Sequence, residues 1–170
     1  LFGAGRHVRK LRPQAPGLDA LIATALARRA PLAGDPQTDI YRLINAAGDG
    51  FPGLAADRYG PALVLSLYDE AARADPPPPA LVQKLAEAGG ARTVYVKYRQ
   101  RQASRVEEEE RPALAPPLPL LGAPLGEYTA HEEGLAYVVR PGEGWNPGLF
   151  PDMREMRGRV RAWAAGQRVL

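Results

Sequence analysis

Hydrophobic positions change period several times along the chain. Leu18, Leu21, Ile22, Ala25 and Leu26, with Arg29, recur at the 3.6-residue spacing of a helix. A helix is predicted over 19–30, opened after Pro16-Gly17 with Asp19 at its positive end. Pro31 and Gly34-Asp35-Pro36 close it. The pattern then shortens to that of strands: Ile40 to Asn45, Leu54 to Arg58, and the apolar run Ala62 to Tyr68. Gly48-Asp49-Gly50, Pro52-Gly53 and Tyr59-Gly60-Pro61 separate them as turns. Asp75 to Pro79 reads as a stiff connector. A second helix follows over 80–88, carried by Leu81, Val82 and Leu85 and ended by Gly89-Gly90. Thr93 to Arg99 is β-branched, aromatic and alternating, hence a strand. Gly126–Ala130 and Leu135–Arg140 predict a hairpin around His131-Glu132-Glu133-Gly134, and 154–165 a basic helix, before Val169-Leu170 opens another strand. The fold class is therefore α+β, without regular β-α-β alternation.

Composition narrows the chemistry more than it names it. The 170 residues include 18 Gly, 18 Pro and no Cys, with 45% apolar content. A packed core is expected, and a disulfide framework, a thiolate metal site and a Cys nucleophile are excluded within these residues. No metal site is expected from two histidines, and no apolar run has the ~18–20 residues of a membrane helix. The net charge of +3 is unevenly spread: residues 1–30 and 140–170 are basic, residues 31–139 acidic. No Gly-rich nucleotide loop, His-Glu-x-x-His or Gly-x-Ser-x-Gly is present. Neither end reads as a natural boundary, since Leu1 is not Met and Val169-Leu170 reads as a strand cut short.

Three segments carry candidate chemistry. Residues 48–60 read as two tight turns about a short strand, with Asp57-Arg58 as an ion pair. Residues 92–105 hold five Lys/Arg and no acid. On a strand, Tyr95, Lys97, Arg99 and Arg101 share one face. That face suits either RNA, by stacking and phosphate contact, or solvent, neutralised by Glu107–Glu110. Residues 144–157 place Asn146, Gly148, Phe150 and Asp152 in a loop before a helix. Asp152 is a candidate cap, and Arg154 and Arg157 lie one turn apart. The loop suits either packing or ligand contact. His131-Glu132-Glu133 is either an acid/base group or a solvated hairpin tip.

Together these segments resemble one family. Tyr41-Arg42-Leu43-Ile44-Asn45 and Asp49-Gly50-Phe51-Pro52-Gly53-Leu54-Ala55-Ala56-Asp57-Arg58-Tyr59-Gly60 are similar to the YRL…DGLPGLVVDRYG signature of class I S-adenosylmethionine-dependent 23S rRNA (cytosine-5-)-methyltransferases. Asn146 to Arg157 resembles their TG-[LF]-F-x-D-x-R-x-x-R loop, and Gly166-Gln167-Arg168-Val169-Leu170 their G-x-x-V-L opening of the catalytic domain. Asn146-Pro147-Gly148 stands where the family has Lys-Thr-Gly, and Pro147 lacks a backbone donor.

The resemblance implies a basic N-terminal segment and connecting helix (1–34) and a central strand–strand–helix–strand–strand accessory domain (35–139). The start of a Rossmann-like methyltransferase domain (140–170) follows. It implies S-adenosylmethionine as cofactor, contacted by Asn146, Gly148, Phe150, Asp152, Arg154 and Arg157, with the main pocket and the catalytic residues past Leu170. It implies large-subunit rRNA as partner, met by Arg58, Tyr95, Lys97, Arg99 and Arg101, with Arg42, Asp49, Gly53, Asp57 and Tyr59 architectural or RNA-facing. The setting would be cytoplasmic, with no membrane partner and homo-oligomerisation left open. The alternatives are a non-catalytic RNA-binding module and a methyltransferase acting on a non-RNA substrate.

Overall fold

The computed structural model describes residues 17–68, 76–99 and 108–168. Helix α1 spans Leu18–Ala33. Strands β1 (Ile40–Asn45), β2 (Leu54–Tyr59) and β3 (Ala62–Leu67) follow, then α2 (Pro79–Gly89) and β4 (Thr93–Tyr98). A short helix α3 (Arg111–Leu114) precedes β5 (Tyr128–Glu132) and β6 (Leu135–Val139), and α4 covers Arg154–Ala164. The first sheet has the order β1-β2-β3-β4, antiparallel except for the β3–β4 pair. That parallel pair needs a crossover, which α2 supplies. The strand expected at Val169-Leu170, and the candidates Arg101 and Glu107, lie outside the described residues.

Two expectations are corrected. The strand–strand–helix–strand–strand order becomes three strands, a helix and one strand. The hairpin β5–β6 does not extend that sheet but forms its own. The outer edge of β4 is engaged instead by Leu121, whose carbonyl accepts from the Val94 amide at 2.9 Å. Helix α1 also runs through Pro31 to Ala33. Proline so near a C-terminus removes one donor, and the Gly34 amide still closes on the Ala30 carbonyl at 3.0 Å.

The two faces of the first sheet bury different chemistry. On one face Leu43, Ile44, Leu54, Ala56, Leu63, Leu65, Val94 and Val96 pack against Ile22 and Ala25 of α1 and Val82, Leu85 and Ala86 of α2. The β1–β2 register shifts between Arg42 and Ile44, and Leu43 and Ile44 both enter this core. Asp49 ties its rim. Arg29 grips the carboxylate with two bonds at 2.9 and 2.6 Å, Arg28 adds one at 2.7 Å, and the Asn45 amide another at 2.7 Å. Burial opposes that charge, yet these donors hold the Asp49 carboxyl below its ordinary range.

On the opposite face Ile40, Tyr59, Val64 and Tyr95 pack against Ala130, Val139 and Leu149, which come from the hairpin and the loop after it. The Tyr59 hydroxyl donates to the Leu149 carbonyl at 2.8 Å, and the Tyr128 hydroxyl to the Tyr59 carbonyl at 2.7 Å. Asp39 joins the hairpin to the start of β1, its amide donating to the His131 carbonyl at 2.9 Å.

Candidate functional site

Alternation along the strands decides what the second face presents. Arg42 of β1 pairs with Asp57 of β2, and Ser66 of β3 with Lys97 of β4. A cleft of about 480 Å³ opens over this face, lined by Arg42, Asp57, Tyr59, Tyr68, Arg99, Asn146, Phe150 and Asp152. The loop 140–153 forms its other wall. The structure thus brings together three residues expected at the cofactor (Asn146, Phe150, Asp152) and one expected at RNA (Arg99).

An ion pair crosses the β1–β2 end. Arg42 Nε donates to Asp57 Oδ1 at 2.8 Å and Nη2 to Oδ2 at 3.0 Å, a two-pronged contact. Its Nη1 reaches Asp152 Oδ2 at 3.4 Å. Burial works against the Arg42 charge, but the Asp57 contact prevails and raises its pKa. Burial pushes the Asp57 carboxyl up against the pull of Arg42. Asp152 is half-exposed, so its carboxylate remains accessible from the cleft. The expected Asp57–Arg58 pair does not form. Arg58 lies on the other face, its Nη1 bonding the Tyr41 hydroxyl at 3.1 Å and its guanidinium lying 5.6 Å from the Tyr41 ring centre.

The β4 end differs. Arg99 donates through Nε to Ser66 Oγ at 3.3 Å and through Nη2 to the Trp145 carbonyl at 2.8 Å. Tyr95 and Lys97 share its face but are fully buried, which corrects the reading of an open aromatic and cationic surface. The loop and hairpin that cover the sheet leave a nucleic acid no route to stack on Tyr95. Its hydroxyl instead accepts from the Leu125 amide at 2.8 Å.

The loop residues divide as well. Asn146 Oδ1 accepts from the Gly148 amide at 3.2 Å. Gly148 is explained by packing: a Cβ there would lie 2.5 Å from the Val138 carbonyl oxygen. Asp152 lies in a 3-10 turn, Pro151–Met153, and makes no cap bond to α4. Arg154 and Arg157 point to the hairpin. Arg154 pairs with Glu133 at 3.0 Å, and Arg157 grips Glu132 with two bonds at 2.7 Å. His131 and Glu132 therefore belong to β5, with Glu132 buried as a structural anion. Tyr68 was absent from the sequence candidates; an aromatic closing an apolar strand run before a connector was its one signal.

Among the described residues no cluster of His, Cys, Asp or Glu could hold a metal, and no helix is long and apolar enough to cross a membrane.

No protein-family model matches the chain. A solved methyltransferase, SMU.776, complexed with SAH, superposes with a TM-score of 0.64 at 24% identity, over 83% of this chain and 33% of that one. A SAM-dependent methyltransferase from Streptococcus mutans gives the same TM-score and identity. The chain thus has the fold of a part of these methyltransferases. In sequence, a ribosomal RNA large subunit methyltransferase of Deinococcus radiodurans is 32% identical over 155 residues, 90% of this chain and 36% of that protein. Ribosomal RNA large subunit methyltransferase I of Erwinia tasmaniensis is 33% identical over 132 residues, 78% of this chain and 32% of that protein. The chain belongs to the family of large-subunit ribosomal RNA methyltransferases and spans about a third of the length of these relatives.

Proposed function

We propose that this chain forms the substrate-positioning part of an S-adenosylmethionine-dependent enzyme that methylates a base of large-subunit rRNA, cytosine at C5, in the cytoplasm. The observation that carries this reading is the 32% identity to the Deinococcus radiodurans enzyme along 90% of the chain. The cleft supports it. Phe150 offers an aromatic surface, and the half-exposed Asp152 a carboxylate suited to a hydroxyl or ammonium group of the cofactor. When bound, S-adenosylmethionine supplies an electrophilic methyl group. The protein's own contribution at this end is to fix Asp152 through Arg42, itself locked by Asp57, and to hold the loop wall through the Tyr59–Leu149 bond. These contacts orient bound groups without moving protons. Arg154 and Arg157 act at one remove, bracing α4 against the hairpin.

The test is methyl transfer by a protein carrying this chain together with the remaining length of its relatives. With labelled S-adenosylmethionine and unmodified large-subunit rRNA, label is expected on RNA and 5-methylcytosine in the nuclease digest. Label on protein or a small molecule instead would overturn the reading. For the 170-residue chain alone, calorimetry is expected to show no S-adenosylmethionine binding. Micromolar affinity would mean that the main pocket lies here.

A further inference from the structure

Among the described residues Lys97 has no counterpart for its charge. It is fully buried, and its ammonium makes no hydrogen bond among the described residues. Its ring contact, 5.9 Å to the Tyr95 centroid, is with a neighbour on its own strand. Burial and then the adjacent Arg99 lower its pKa to about 8. A buried ammonium without an acceptor is costly, so its setting needs a reason.

The surroundings are rich in donors. Arg99 uses Nε and Nη2 on Ser66 and Trp145, and its Nη1 makes no bond among the described residues. The Trp145 indole N–H is also buried without a partner among the described residues. The Asp57 carboxylate, on β2, is gripped on both oxygens by Arg42. Strands in a sheet lie about 4.8 Å apart, so β1 and β4 are separated by roughly 14 Å. The cleft therefore has a β1 end bearing Asp152 and the closed Arg42–Asp57 pair, and a β4 end bearing Arg99 with Lys97 beside it.

We infer that the β4 end of the cleft is a phosphate site: Arg99 Nη1 contacts the anion, and Lys97 beside it supplies the uncompensated positive charge. The site goes beyond methyl transfer and does not depend on it. A phosphate brings the missing counter-charge and gives Arg99 an acceptor of matching geometry. Lys97 acts as a positioning residue through charge in a poorly solvated setting. The phosphate can come from an RNA backbone or from the free anion.

The 170-residue chain is titrated with inorganic phosphate while NMR follows the Arg99 Nε–H and Trp145 Nε1–H signals and the Lys97 Cε. Saturable shifts at Arg99 are expected, with a rise in the Lys97 pKa from about 8 as the anion binds. Lys97→Met is expected to weaken binding about tenfold or more. Lys97→Gln provides the same readout should the methionine variant misfold. Lys84→Met, which removes an equal charge on α2, should leave binding unchanged. A short single-stranded oligoribonucleotide that displaces phosphate at Arg99 identifies the RNA backbone as the source. Phosphate binding without such displacement identifies the free anion. The site is overturned if no saturable shift occurs at Arg99, or if both Lys97 variants bind phosphate as tightly as the parent. Methyl transfer by the longer protein is read separately, so its failure and this one are distinguishable.

Discussion

One face of the four-stranded sheet is filled with Leu, Ile, Val and Ala between α1 and α2, while the other buries Asp57, Ser66 and Lys97 and partly covers Arg42 under a loop and a hairpin. The first face excludes water, whereas the second opens in part to the cleft. The first uses close-packed hydrocarbon, which needs no partner geometry beyond shape. The second places charges where each must find a partner or remain costly. A face built for stability alone would repeat the first solution. The contrast sets the polar cleft apart from the apolar core without reference to any motif.

The largest effect that could break this comparison is expected on the apolar face. Leu65→Ala and Leu85→Ala, both at fully buried sites, should each cost about 3 kcal/mol in urea unfolding. Losses under 1 kcal/mol would show that this face is not the main core. On the polar face, Asp57→Ala should cost about 3 kcal/mol by removing the two-pronged contact and leaving Arg42 only its long bond to Asp152. The double variant Arg42→Met/Asp57→Leu should recover most of that loss. Strictly additive losses would mean that the two side chains do not act as a pair.

Gly148→Ala comes next, at roughly 2 kcal/mol, because its Cβ would meet a backbone oxygen that cannot swing aside. Crystallography or amide exchange should show the 146–150 loop displaced from β6. A neutral result would mean that the loop moves freely over the hairpin.

The smallest effect has the opposite sign. Lys97→Met should stabilise the phosphate-free chain by about 1 kcal/mol, since it removes a buried charge that has no acceptor among the described residues. The pH dependence follows from the same group. Its folded pKa is about 8, below the ordinary lysine value of 10.5, so between these values the unfolded chain binds more protons. Stability should therefore rise as pH increases from about 8 toward 10. Above pH 10, Tyr59 and Tyr128 oppose the rise, because burial raises their pKa values in the folded state. Denaturation midpoints across this range should rise for the parent and stay flat for Lys97→Met. Equal slopes would place the lysine charge in solvent.

Much of the architecture follows from local pattern. The 3.6-residue stripe from Leu18, the apolar run at Ala62 and the alternation at Thr93 each specify an element, because periodicity depends only on neighbouring residues. The turns and the helix after the Pro-rich connector are legible in the same way. Strand partners are not, since the β4 edge is engaged by Leu121, distant in sequence. Alternation correctly puts Tyr95, Lys97 and Arg99 on one side of β4, but cannot say whether that side meets water. Arg154 and Arg157 read as a ligand-facing pair until the hairpin supplies Glu132 and Glu133 as acceptors.

The sequence alone determined the elements, the resemblance of its motifs to rRNA methyltransferases, and the candidates Asn146, Phe150, Asp152 and Arg99. Only the tertiary structure decided that these four share a cleft with the Arg42–Asp57 pair, and that Lys97 lies buried beside Arg99. The reason is physical: periodicity is set by covalent neighbours, whereas burial and charge pairing are set by segments that meet only when the chain folds.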